Sequence, residues 1–165
     1  MWKVIERVFH FLIYRILKLN LSYEKYQVLI QFIKFGLVGL SNTLISYIVY
    51  LIILWLCSKT GFFGSKDYII AIIVSFILSV LWSFYWNKKY VFYLDVGFRS
   101  TLLALLKTYV SYSFSGLFLS SVLAVFWVEI IGVSKLISPI LNLLISVPIN
   151  FVLNKFWAFK KVNRE

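Results

Sequence analysis

Between Lys135 and Lys161 the chain is apolar except for polar residues that recur at every fourth position: Ser138, Asn142, Ser146, Asn150 and Asn154. Four-residue spacing stacks side chains on one face of a helix, so the pattern predicts a helix whose single polar stripe ends at Asn154 and Lys155. The same stripe stands 67 residues earlier, where Ala71, Ser75, Ser79, Ser83 and Asn87 are again followed by lysine. With that offset Asn87 and Lys88 lie over Asn154 and Lys155, Phe92 over Phe159, and Ser83 over Asn150. The chain reads as a duplication, and its site is expected where the two halves meet.

Crossing ~30 Å of hydrocarbon takes ~20 apolar residues in a helix. Four runs qualify, at about 35–57, 68–87, 108–128 and 136–158. The predicted fold is an all-α polytopic membrane protein: four transmembrane helices as two tandem two-helix repeats, preceded by an amphipathic interfacial helix. Residues 1–26 form the N-terminal segment and 27–165 the membrane domain. In residues 1–19, Trp2, Ile5, Phe9, Leu12, Ile13 and Ile16 share one face, with Lys3, Arg7, Arg15 and Lys18 interrupting the run. That pattern fits a helix lying on the membrane surface with its basic side toward anionic head groups, and not a cleaved signal peptide.

Residues 20–27 read as a polar joint. In the first span Gly36, Gly39 and Ser41 would let another helix approach, and Asn42 either bonds a neighbouring helix or lines a polar cavity. Residues 94–107 read as the connection between halves, with a short surface helix as one form it can take. In the third span Ser113, Gly116 and Ser120 are expected on one side. Lys34 and Lys107 enter the first and third spans at similar places, 73 residues apart. Pro148 lies inside the fourth span, removes a backbone donor and predicts a kink beside Asn150. Two Asn and Lys155 on that helix make it the most polar place in the membrane part.

Composition agrees: 62% of the 165 residues are hydrophobic and 14% charged, against roughly a quarter charged in soluble domains. A net charge of +11 would suggest nucleic acid in a soluble protein. Here 14 of the 17 Lys and Arg fall at the termini and the central loop and three in the other two loops. This is the asymmetry of positive-inside topology, with both termini cytoplasmic, and no nucleic-acid partner is needed. No Asp, Glu or His lies in the middle of a span, and the lone Cys57 has no partner. The chain is therefore expected to be no enzyme, with no catalytic residue, metal or cofactor. Binding and translocation remain. Asn side chains pair with hydroxyls and Lys with phosphate, which suits a phosphate-bearing sugar head group.

The stretches FIKFGLVGLSNTLISYIVY, WNKKYVFY and NFVLNKFWAFKK together resemble the GtrA-like family of small four-span membrane proteins, from about Gln31 to Lys161. The resemblance implies a role in cell-surface polysaccharide or teichoic acid glycosylation, by flipping a polyprenyl-phosphate-linked monosaccharide across the cytoplasmic membrane. It places substrate binding at Asn42, Asn87, Lys88, Asn154 and Lys155. Asn150, where the first half has Ser83, joins them from the stripe itself. Expected partners are the polyprenyl-phosphate sugar and membrane lipids, and a homodimer would enlarge the small volume that four helices enclose. The alternative is a non-transporting subunit that anchors a membrane glycosyltransferase.

Overall fold

From Tyr23 to Thr60 no proline interrupts the chain, and it forms one 38-residue helix, α2. At ~1.5 Å per residue it is far longer than ~30 Å of hydrocarbon. Its N-terminal turns therefore extend beyond the apolar layer, and part of the polar joint expected at 20–27 is helix, because Glu24 and Lys25 tolerate a helix as well as a loop. The computed structural model describes residues 2–16, 18, 21–60, 67–94, 96–134 and 137–160, and among these there is helix and no strand.

Helix α1 covers Trp2–Phe11 and continues as a π-helical turn, Leu12–Ile16. Helix α3, Asp67–Trp86, runs into a π-helical turn at Asn87–Val91. Helix α4, Phe98–Ser113, continues through π-helical residues Phe114–Leu119 into α5, Ser120–Val125, and a last π-helical turn, Phe126–Ile130. Helix α6, Ser138–Leu153, ends in another at Asn154–Ala158. Four stretches are long and apolar enough to cross a membrane: Tyr23–Thr60, Ile70–Val91, Phe98–Ile130 and Ile140–Ala158. The protein is an all-α, multi-pass membrane protein. Leu40, Leu44, Phe118, Leu144 and many other large apolar side chains face outward, as a lipid-facing surface requires.

The connection read at 94–107 is helix from Phe98 onward, started by the Thr101 amide donating to the Gly97 carbonyl at 3.0 Å and continuous with the third span. Helix α6 runs through Pro148, and a wider turn follows at Asn154.

The duplication is visible in the backbone. Each half ends in a five-residue π-helical turn that starts at Asn. Each turn closes on that Asn: the Phe92 amide donates to the Asn87 carbonyl at 2.9 Å, and the Phe159 amide to the Asn154 carbonyl at 2.8 Å. The extra residue per turn re-aims the chain beyond it. It brings the equivalent Phe92 and Phe159 rings together, stacked at 4.7 Å and 21°. Phe84 stacks on Phe159 from the other side at 5.4 Å, over buried Leu94, Ala104 and Ala158. Phe92 also touches a second cluster of Phe35, Val38, Val91 and Phe151. The end of the bundle that carries Asn87 and Asn154 is thus an aromatic joint between halves.

Candidate functional site

Behind that joint, between α2 and the helices of the second half, lies a cavity of about 500 Å³. Gly36, Gly39 and Asn42 line it from α2, Phe76 from α3, Tyr112, Ser115 and Gly116 from the third span, and Ser146 and Asn150 from α6. A Cβ on Gly36, Gly39 or Gly116 would meet nothing within 4 Å. These glycines therefore do not serve the close helix contact that the sequence suggested, and the missing side chains leave the cavity wide.

The polar side chains around it form two networks of similar design. In the first half Asn87 Nδ2 donates to Ser83 Oγ at 3.1 Å and to Tyr112 Oη at 3.3 Å, while Ser83 and Tyr112 share a hydrogen bond of 2.8 Å. In the second, Asn154 Nδ2 donates to the Asn150 carbonyl at 2.8 Å, and Ser115 Oγ donates to Asn150 Oδ1 at 2.7 Å. Asn87 and Asn154 are wholly buried, at 0% exposure. In both halves the terminal Asn therefore reaches back one turn along its own helix. Farther along α6, Asn142 Nδ2 donates to the Ser120 carbonyl at 3.0 Å.

Each of Asn42, Asn87, Asn142 and Asn154 leaves a buried side-chain oxygen without a protein partner. An unmet acceptor in a buried place costs free energy unless water or a ligand meets it. Asn42 is the one of these four that lines the cavity.

Of the residues singled out from sequence, the structure brings Asn42 and Asn150 to one cavity. Asn87 joins them through Tyr112, and Asn154 through Asn150. Lys88 and Lys155 are not among the cavity's walls. Lys88 Nζ donates to Thr101 Oγ1 at 2.9 Å, which ties the first π-helical turn to the start of α4. Lys155 Nζ stands 5.5 Å from the Phe151 ring and 5.7 Å from the Phe156 ring.

Tyr112 and Ser115 went unrecognised in the sequence, because the third span does not keep one helical register. Ser113, Gly116 and Ser120 do not form its buried side: Thr108, Ser111 and Ser115 do. The π-helical stretch Phe114–Leu119 rotates the rest of the span, with Ser120 Oγ donating to the Ser115 carbonyl at 2.9 Å. The usable signal was the four-residue step from Ser111 to Ser115.

Lys34 directly precedes the cavity-lining Phe35 and Gly36 in α2 and is not itself among the cavity's walls. It donates to Tyr93 Oη at 2.9 Å and pairs with Glu6 of α1. Lys107, its counterpart in the second half, donates to the Trp157 carbonyl at 3.4 Å. Each half thus anchors the lysine of its first helix on or just beyond its own π-helical turn. Among the described residues no group of His, Cys, Asp and Glu is arranged to hold a metal.

The curated proteins and the solved structures compared with the chain gave no match. A family model did, over residues 34–159: the GtrA/DPMS transmembrane domain. The matched region opens at Lys34 and closes at Phe159, and so takes in both π-helical turns, the aromatic joint and the whole cavity. It spans well over half of the chain, and the protein belongs to the GtrA/DPMS transmembrane domain family.

Proposed function

We propose that the protein moves a polyprenyl-phosphate-linked monosaccharide across the cytoplasmic membrane, supplying sugar for a cell-surface polysaccharide or teichoic acid. The observation that carries this reading is the cavity between halves. It lies among membrane-spanning helices, carries amides and hydroxyls and no carboxylate on a wall otherwise made of apolar side chains such as Phe35, Leu40, Phe76, Leu143 and Val147, and has a volume of about 500 Å³, within the ~300–1,000 Å³ typical of small-molecule sites. Amide and hydroxyl groups match a neutral sugar, whose hydroxyls both donate and accept. In this reading Asn42 and Asn150 meet the sugar, while Asn87 and Asn154 hold the walls. Lys88 and Lys155 draw the lipid phosphate to the rim. Positive-inside charge puts that rim and both termini on the cytoplasmic side.

The test is the sidedness of a labelled polyprenyl-phosphate sugar in proteoliposomes. Intact protein should move it, and the Asn42→Ala/Asn150→Ala variant should lose at least about tenfold of the rate, the effect of leaving polar substrate groups unpaired. If intact protein moves no sugar tested, the flippase reading fails.

A second reading, a membrane subunit that holds a glycosyltransferase, is supported by α1, which turns Val4, Val8 and Phe11 outward. It expects cell-surface glycosylation to survive the Asn42/Asn150 substitutions and to be lost with charged residues at Val4 and Val8.

A further inference from the structure

Lys34 is the one charged side chain that is buried among the described residues, at 3% exposure. A cation on a membrane helix is costly unless it is paired or acts on a ligand. The partners of Lys34 come from two places. The Tyr93 hydroxyl, at 2.9 Å, and the Tyr93 ring, at 5.4 Å, belong to the bundle, just past the first π-helical turn. The Glu6 carboxylate and the Trp2 ring, at 6.0 Å, belong to α1. Here the bundle offers Lys34 a phenol, and the anion comes from outside it.

Helix α1 meets the bundle at Lys34 and at the first π-helical turn. Trp2 stacks on Tyr90 at 5.7 Å and tilts against Trp86 at 6.5 Å, so it covers the π-helical turn that begins at Asn87. The Glu6 side chain remains 42% exposed. It also lines a separate cleft of about 700 Å³, together with Arg7, His10, Arg15 and Tyr26. An anion drawn by the two arginines would arrive beside the one carboxylate that occupies Lys34.

We propose that Lys34 holds the phosphate of the polyprenyl-phosphate sugar, and that the Glu6 carboxylate stands in that phosphate's place, so that α1 is a displaceable cap on the site. The identity of the ligand rests on the flippase reading above. A carboxylate and a phosphodiester each bring one negative charge and acceptor oxygens to the ammonium, so one replaces the other without leaving Lys34 unpaired. Sugar carried by that phosphate would have its entry beside Phe35 and Gly36, the next residues of the cavity wall.

The experiment is equilibrium binding of farnesyl phosphate, farnesol and inorganic phosphate to the full-length protein in detergent. Glu6→Gln removes the competing anion and should tighten farnesyl phosphate about fivefold, the scale of a partly exposed ion pair. Lys34→Gln should weaken it by about tenfold or more, as the loss of a charge-assisted contact does. Lys25→Gln, an exposed lysine on the same helix, should stay within about twofold. Farnesol should bind at least about tenfold more weakly than farnesyl phosphate in the intact protein.

The proposal is overturned if Glu6→Gln leaves farnesyl phosphate binding unchanged or weaker, a result that stands even where the Lys34 variant does not fold. It is overturned equally if inorganic phosphate competes as well as farnesyl phosphate, since the site would then take free anion. The assay reads binding and not movement. Sugar transport with no response at Glu6 would sink this inference alone, and a response at Glu6 without transport would sink the flippase alone.

Discussion

Ser83 and Asn150 occupy equivalent positions in the two halves, and their surroundings differ. Ser83 is sealed, bonded to Tyr112 and Asn87. Asn150 faces the cavity and takes a hydrogen bond from Ser115 on its Oδ1. The lysines differ in the same sense: Lys34 is buried against α1, whereas Lys107 reaches a backbone carbonyl in a more open setting. Both halves keep the π-helical turn and the Phe immediately after it. A shared frame has thus been specialised, the first half supplying a dry support and a buried cation, the second most of the polar wall. Symmetry was retained where the halves touch and lost where each does separate work.

The contact itself should be the most sensitive place. Phe159→Ala removes a ring stacked between Phe84 and Phe92 and should cost about 3 kcal/mol, the range of buried Phe truncations. Thermal unfolding in detergent reads this, and a loss below about 1 kcal/mol would mean the joint is not what holds the halves together.

Exchanging the unequal pair probes the specialisation. Ser83→Asn forces extra atoms into a sealed contact with Tyr112 and should cost about 1–3 kcal/mol by overpacking. Asn150→Ser has the cavity beside it and should cost under about 1 kcal/mol, the usual size of a single hydrogen bond between membrane helices, while it slows sugar movement. Equal costs for the two exchanges would say that the halves are interchangeable. The smallest effect is expected at Lys107→Met. It loses an exposed hydrogen bond of 3.4 Å and a cation–π contact with the Trp157 ring at 5.7 Å, and should shift stability by about 0.5 kcal/mol or less.

Four spans, the duplication and the two Asn-Lys ends were legible in the sequence, because apolar length and four-residue spacing are set by the bilayer and by helix geometry before any packing occurs. So was the family, since its residues lie in contiguous stretches from Phe32 to Lys161. The buried stripe of Ser75, Ser79, Ser83 and Asn87 also came from spacing alone.

Only the tertiary structure decided which polar residues share a cavity. Tyr112 and Ser115 reach it through a π-helical shift that no periodicity announces, and Gly36 and Gly39 border space where a helix contact was expected. Nor could the sequence assign the lysines. Lys88 and Lys34 are alike in composition, yet Thr101 holds one and Glu6 the other. Periodicity records which face of a helix a residue takes. What it meets there depends on groups brought from 13 residues away for Lys88 and from another helix for Lys34, and that is settled only when the helices pack.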